Sequence, residues 1–520
     1  MNTRRCGLAE WCRRSILTFF VAVPFLIGGC VNQPKWLPAR DQSPIDRSLI
    51  EYPSGYVLTR VVGGLNCPTS ICFDDQGSMI VAESGADGSE PHIFGYRRDD
   101  HAYFQIYPYN RDVSFFPTGF RLYGPVGGIV AFHGGLYVTH RDADGWGVVS
   151  ALAYNGAHTT IVGRLPARGD YGVTDIAIGP KGRLYFNVGT ATNSGVVGPD
   201  NPWAQRYPDF HDFLYSPTDA SIQLRGQHFN ALNSFSGLFH PEIDVTAAFQ
   251  PRGESLQSKI RPSDKPNGAV YSCRPDGGDS EIWASGLGNV RGIAFDEYNH
   301  PFFSRDGMEV RGTRPVLNDP DAVVAGARGV WYGWPDYSTI GHPITDQEYL
   351  PPLPLITPSG YDELSQLIDR DASGLRLPDD FGGLVVGTLP SLSGAAKMTF
   401  VPSDGPFKNY RGSLIVALDG DRAPFATGGL KLLGPSGFKV AIVDVNAKQV
   451  HDFIRNTAGQ PQSRLPYGTL GLERPCDVKF GPDGSLYILD FGRMENDGPN
   501  PRYHPGTGQI FKLSPYPAER

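Results

Sequence analysis

A chain of 520 residues with 64 Gly and 45 Pro is built of turns and short strands, which sets aside an architecture of long helices. Its formal net charge of −8, with no run of basic residues, gives no electrostatic footprint for nucleic acid. Apolar residues make up 40% of the chain, enough to build a large core.

The first 30 residues stand apart from the fold. Arg4, Arg5, Arg13 and Arg14 precede an apolar run, SILTFFVAVPFLIGG, which is broken by Pro24 and ends at Cys30. A positive start and a short apolar stretch describe an export signal, too short for a comfortable bilayer span. IGGC resembles the bacterial lipobox, in which cleavage before the cysteine leaves Cys30 to carry diacylglycerol. Arg13-Arg14 before Ser-Ile-Leu loosely resembles a twin-arginine signal, which implies export after folding. The alternative is an ordinary secretory signal with an incidental cysteine. Lipidation of Cys30 would hold the protein at the bacterial cell envelope, facing the periplasm. Residues 31–54 then read as a polar tether, and residues 55–515 as the folded body.

Within that body a pattern repeats: an apolar strand, a turn rich in Gly, Pro and Asp, and a second strand. It opens with GLNCPTSICFDDQGSMIVAESG (64–85) and closes with GLERPCDVKFGPDGSLYILDFG (471–492), which align without a gap. Between them come GGIVAFHGGLYVTH from Gly127, YGVTDIAIGPKGRLYFNVG from Tyr171, GLGNVRGIAFDEYNHPFFSRDG from Gly286 and KMTFVPSDGPFKNYRGSLIVALDG from Lys397. The turns centre near Gly77, Gly134, Gly182, Asn299, Gly412 and Gly484. Six β-hairpins that cannot bury both faces alone predict an all-β, six-bladed β-propeller. The first and last copies would be neighbours where the ring closes. That would bring Cys67 near Cys476, as a bridge or as buried free thiols; Cys72 and Cys273 have no assigned partner. Long inserts at 194–266 and 308–396, polar, Pro-rich and aromatic, are expected over one mouth of the channel.

Several segments together carry a family resemblance: GTATNSGVVGPDN (189–201), ASGLGNVRGIAFD (284–296), RGTRPVLNDPDA (311–322), WYGWPDYS (331–338), HDFIRN (451–456) and the closing hairpin. They resemble the bacterial glucose/sorbosone dehydrogenase-like family over roughly residues 55–515. The resemblance implies a six-bladed propeller that binds pyrroloquinoline quinone (PQQ) and Ca²⁺ and oxidises a sugar at C1 in the periplasm. That chemistry needs a base for the sugar hydroxyl, cations for the three quinone carboxylates and oxygen ligands for calcium.

Carried onto this chain, the resemblance assigns residues and also shows departures. The family's catalytic His lies eight residues before the Gly that opens the third turn. Here Gly179 opens that turn and the position is Tyr171, whose ordinary pKa near 10 makes it a poor base. A channel-lining aromatic is the alternative role. Where the family reads G-L-R-N-P, Gly288 replaces the cofactor-facing Arg, Asn289 is kept and Arg291 is the candidate to compensate. Arg474 matches the second cofactor-facing Arg. Gly307 and Met308 match the residues whose carbonyls hold calcium, with Asp306, Glu309, Asp319 and Asp321 as side-chain alternatives. Substrate candidates are Asn193, Tyr332, Trp334 and Asp419. The cluster Trp331, Tyr332, Trp334 and Tyr337 could face a sugar or plug the space between blades, and Asp419 could instead belong to an ion pair. No H-E-x-x-H spacing or G-x-S-x-G elbow is present. Two further functions stay open. One is a calcium-dependent lactonase with Asn193, Asn289 and carboxylates on one metal. The other is a propeller that binds carbohydrate or an envelope protein without catalysis.

Overall fold

Short apolar runs between tight turns become strands because β-branched and aromatic side chains fit a pleated surface that is buried on both faces. The second strands read as unbroken apolar runs, MIVAE (Met79–Glu83), SLIVAL (Ser413–Leu418) and LYILD (Leu486–Asp490), and every residue in them is buried. The outer strands are polar and solvated, as in HTTIVGRL (His158–Leu165). The computed structural model describes residues 35–97, 102–108, 121–198, 200–201, 203, 216–233, 242–250, 257–421, 436–495 and 501–516. Cys30 and the export segment lie outside them.

Among these residues are six antiparallel sheets of four or five strands, spanning 68–107, 129–165, 176–284, 289–389, 395–456 together with 50–51, and 475–515 together with 35–36 and 56–65. The first strands of the six touch one another in order, and the sixth touches the first, so the sheets form a closed cycle. The apolar clusters agree with this. Ile80, Leu136 and Val138 join the first and second sheets, and Phe186 and Tyr271 pack with Val149 between the second and third. Val270, Phe303 and Val324 join the third and fourth, and Val323, Leu414 and Val416 the fourth and fifth. Ile415, Ile454, Val478 and Ile488 fill the next space, and Leu489, Ile510, Ile71 and Val81 the last.

Polar staples cross the same interfaces. Ser70 Oγ accepts from the Ile129 amide at 3.2 Å, Asp175 Oδ2 from Ile293 at 2.8 Å and Asp321 Oδ2 from Ala395 at 3.1 Å. Asp477 Oδ2 accepts from Ile71 at 2.9 Å and joins the last sheet to the first. The six turn centres expected from the repeat all have positive φ, from 68° at Asn299 to 79° at Gly77 and Gly412. Each lies at the hairpin between the first two strands of one sheet.

The segment expected as a tether is part of the body from Lys35 onward. Lys35 and Trp36 pair with Gly63 and Val62, Ile50 pairs with Asn456, and Ile45, Ile50 and Tyr52 are buried. Its few apolar residues dock it, although its composition is polar. All four body cysteines are free and buried; Cys67 and Cys476 share the cluster between the sixth and first sheets. The two long inserts pair with each other, Gln223 with Asp369 and Leu224 with Ile368. They share a seventh apolar cluster that includes Trp331, Trp334 and Tyr337. Arg314, fully buried, clips them by donating to the carbonyls of Ser194 and Pro335 at 3.0 Å and of Ser365 at 2.9 Å, and by pairing with Asp336 at 3.2 Å.

Candidate functional site

Strand irregularity builds the site. Pairing of the first two strands skips a register step at Pro68/Ser70, Val290/Gly292, Ala395/Met398 and Pro475/Asp477. A β-bulge re-aims the extra residue out of the ladder. The residues at these steps, Thr69, Arg291, Ala396, Lys397 and Cys476, all line one cavity of about 530 Å³. The segment before the third sheet adds Asp170 and Tyr171, the third-sheet insert adds Asp200 and Trp203, and the fourth sheet adds Asn289, Asp306, Gly307, Glu309 and Arg311.

Arg311 is the hub. Its Nη1 lies 2.8 Å from Asp170 and 2.6 Å from Asp200, its Nε pairs with Glu309, and its Nη2 donates to the Tyr171 hydroxyl at 2.9 Å. Asp170 also accepts from Trp203 Nε1 at 2.7 Å and Asn201 Nδ2 at 2.9 Å. Arg291 is the second hub. Its Nη1 bonds Asp419 at 3.0 Å and lies 3.7 Å from Asp306, which accepts from Asn289 Nδ2 at 2.8 Å. Three buried acceptors on this wall, Asp200 Oδ1, Asn289 Oδ1 and Asp306 Oδ1, have no donor. Gly312 makes room for the first: at φ +82°, a Cβ there would stand 2.7 Å from Asp200 Oδ1.

Burial first, then the Glu309 carboxylate, push the Tyr171 phenol well above its ordinary value, against the pull of Arg311. Tyr171 is therefore a hydrogen-bond acceptor for Arg311 and not a base at neutral pH. His140 also lines the cavity, but its Nδ1 lies 2.6 Å from the Arg141 carbonyl and its Nε2 2.9 Å from Ser150 Oγ. A carbonyl contact requires Nδ1–H, so the Nε2 lone pair faces the serine hydroxyl. Burial lowers this histidine to about 4, so it stays neutral. Burial pushes Asp306 well above the carboxylate range, with Arg291 opposing, and raises Asp200 to about 6, with Arg311 opposing.

Asp200 yields a stability prediction. Between its unfolded 3.8 and about 6 the folded chain holds a proton that the unfolded chain has released, so this group's contribution falls as pH rises through that window. Asp200→Asn is expected to flatten that part of the curve in urea melts taken across the window. An unchanged slope would contradict the assignment.

Gly307 and Asp321 also line this cavity; Asn193, Tyr332, Trp334, Met308 and Asp419 do not. Asn193 is an anchor: its Nδ2 donates to the Glu309 carbonyl and its Oδ1 accepts the Glu309 amide, both at 2.8 Å. Trp334 is buried and donates to the Asn193 carbonyl at 3.0 Å. Tyr332 is fully buried, its hydroxyl held by Ala325 and Ala327 at 2.9 Å. Tyr332 plugs the space between elements inside its apolar cluster, whereas Trp334 packs in the cluster of the inserts and borders a small gap beside Tyr171, Asn289 and Asp306. Asp419 is fully buried in its pair with Arg291. Gly307 and Met308 have their amides fixed by Asp321 Oδ1 at 2.9 Å and Asp319 Oδ2 at 2.8 Å. Asn193 and Asn289 border one small gap together with Asp306 and Asp319. Among the described residues the one His/Cys/Asp/Glu group of metal-ligand size is exposed, His342, Asp346 and Glu348. The Arg311 hub escaped the sequence reading, because its partners come from three separated segments with no shared spacing.

The cations that the resemblance assigns to the quinone, Arg291 and Arg474, are taken up by groups of this chain, while Arg141 and Arg168 also line the cavity. Arg474 lies behind the wall, its Nη1 donating to the carbonyls of Asp419, Gly420 and Asp421 at 2.9–3.2 Å. Arg291 and Arg311 are engaged by five carboxylates of this chain, and Lys397 by the carbonyls of Thr69 and Gly127 at 2.8 and 2.6 Å. An Arg at position 288 would be strained: Gly288 has φ +72°, and a Cβ there would lie 3.3 Å from Trp334 Cδ1.

No protein-family model matches the chain, and no curated protein matches it. Among solved structures, the holo pyranose dehydrogenase PQQ domain from Coprinopsis cinerea is 14% identical with a TM-score of 0.52, covering 91% of this chain and 98% of its own. A Trichoderma reesei carbohydrate-active enzyme of family AA12 is 12% identical with a TM-score of 0.51, covering 92% and 100%. The PQQ-bound aldose sugar dehydrogenase from Streptomyces coelicolor is 15% identical at 0.46, covering 89% and 99%. At these identities the likeness establishes the fold: the chain is folded as PQQ-dependent sugar dehydrogenases are, the group that its motifs resemble.

Proposed function

We propose that the protein is a six-bladed β-propeller of sugar-dehydrogenase type whose cavity binds a small polyhydroxylated molecule. The closed cycle of six sheets supports the propeller reading. The observation that carries the ligand is the cavity of about 530 Å³, lined by polar side chains from several sheets, among them Thr69, Asn289 and Arg291. Trp203, Phe491 and Tyr503 line the same space and offer apolar faces to sugar C–H groups. Export and lipid anchoring through Cys30, with the cavity facing the periplasm, complete the proposal. Isothermal titration with a panel of neutral hexoses is expected to give saturable binding that Asn289→Ala weakens about tenfold, the value of a lost hydrogen bond to a buried polar group. Absence of binding across the panel would overturn it.

A second reading, oxidation of a sugar at C1 with PQQ and Ca²⁺, is favoured by the fold likeness and by the motifs; with PQQ bound, the quinone would supply the redox chemistry. The engaged cations weigh against it. Titration of PQQ is therefore expected to show no binding in the micromolar range, with or without Ca²⁺. Calcium-dependent micromolar binding would reinstate the oxidoreductase and place binding and catalysis in one cavity.

A further inference from the structure

The fold gives the anchor at Cys30 a direction. Lys35 and Trp36 already pair as a strand, so only residues 31–34 separate Cys30 from the folded body. Fully extended, the chain from Cys30 to Lys35 reaches about 18 Å. A domain of this size is about 60 Å across, so the link holds one sector of the ring near the bilayer and keeps the opposite sector away. Strand pairing fixes which sector. Lys35 and Trp36 form the outermost strand of the sixth sheet, opposite Gly63 and Val62, and the Leu37 amide donates to the Val61 carbonyl at 2.9 Å.

A second feature marks the same sector. The ring of Trp36 lies 5.8 Å, centre to centre, from that of Tyr96 in the first sheet, and Tyr96 lies 5.8 Å from Tyr103. Tyr103 is on the outermost strand of the first sheet and is 40% exposed, while Tyr96 is buried beneath it. The outer edges of two neighbouring sheets therefore meet in an aromatic cluster, with exposed Lys35 beside it. Trp and Tyr rings, apolar in body and polar at the tip, favour the boundary between lipid and water, and Lys reaches the headgroups from there. Resting on the reading of Cys30 as the lipid anchor, we propose that the rim carrying Trp36 and Tyr103 seats on the bilayer. The ring then stands on its edge, with the fourth sheet farthest from the lipid. The cavity is lined from the first strands of the sheets, at the opposite edge from this rim, so seating leaves it open to the periplasm.

The test uses the full chain, made in a bacterium and reconstituted in vesicles of phosphatidylethanolamine and phosphatidylglycerol. The four body cysteines are buried, so a thiol-reactive fluorophore reports on an introduced cysteine. Gln105→Cys places it two residues from Tyr103, and Thr388→Cys on the outermost strand of the fourth sheet, across the cycle; both positions are exposed. With a nitroxide on the lipid headgroup, fluorescence is expected to be lost at Gln105→Cys and kept at Thr388→Cys. Adding Tyr103→Ser should restore part of the lost signal, with circular dichroism reporting on the fold. Equal quenching at the two labels, quenching at Thr388→Cys alone, or quenching at neither would overturn the inference and leave the anchor standing. Quenching that Tyr103→Ser leaves unchanged would overturn the aromatic seat. Mass spectrometry of the N-terminal peptide reads the anchor separately: a Cys30 without lipid would overturn the anchor reading and this inference together.

Discussion

Arg311→Met is expected to destabilise the protein by about 3–5 kcal/mol, the usual consequence of removing one partner from a buried charge cluster. The substitution keeps much of the side-chain volume and removes the charge from among Asp170, Asp200 and Glu309, which are then left facing one another. It also removes the donor to Tyr171. Urea denaturation near neutral pH measures the loss. The loss should shrink in acid, where the carboxylates take up protons and no longer repel. Arg311→Lys should fall between, since an ammonium keeps the charge but cannot reproduce a planar fork that serves three carboxylates and a phenol. Adding Asp200→Asn to Arg311→Met should recover part of the stability, a coupling that separates charge repulsion from lost packing. A loss below about 1 kcal/mol would mean that the cluster is solvated in solution, like an ordinary surface ion pair.

Asp477→Ala is expected to cost a similar amount, about 3–5 kcal/mol, by a different route. Asp477 is fully buried, and its Oδ2 accepts from the Ile71 amide at 2.9 Å and from Ser70 Oγ at 3.2 Å. Its Oδ1 accepts from the Val478 amide at 2.8 Å and pairs with Lys479 at 3.1 Å. One carboxylate therefore satisfies a buried amide across the junction of the last and first sheets and neutralises a lysine beside it. Truncation leaves the Ile71 amide buried without that acceptor and takes from the partly exposed Lys479 its carboxylate partner. The damage should be local at first: hydrogen exchange in the strand Pro68–Phe73 should accelerate more than in Leu184–Val188, on the far side of the cycle. Uniform acceleration in both strands would indicate that the junction is not a separate point of weakness.

The repeat was readable in the chain because it rests on local chemistry. Gly77, Gly134, Gly182, Asn299, Gly412 and Gly484 each occupy positive φ, a demand that selects Gly and Asn whatever surrounds them. The cavity wall was less readable. Asp306 and Glu309 stood out as carboxylates, but their sharing of Arg291 and Arg311 depends on the fold bringing 170, 200, 291, 306–311 and 419 together. The aromatic run at Trp331–Tyr337 has the same composition whether it faces a ligand or a core. Here the core claims it, because the two inserts zip together along Gln223–Leu224 and need an apolar filling. The bulges were not legible, since a register step leaves no signature in residue type alone.

The sixth sheet joins Tyr56–Leu65 from near the start of the chain to Gly508–Pro515 near its end, Tyr56 lying opposite Pro515. Such a contact has very high sequence separation, so its loop-closure entropy is paid only after nearly the whole chain is available. During synthesis, the strand Leu486–Asp490 exposes an unpaired edge until the last residues emerge, and the first sheet lacks its neighbour for the same period. Chains stalled or cleaved before residue 508 should therefore aggregate through that edge, which is covered once Gly508–Pro515 pairs with Tyr56–Leu65 and Leu486–Asp490. The eight paired residues Gly508–Pro515 are therefore what closes the cycle of sheets.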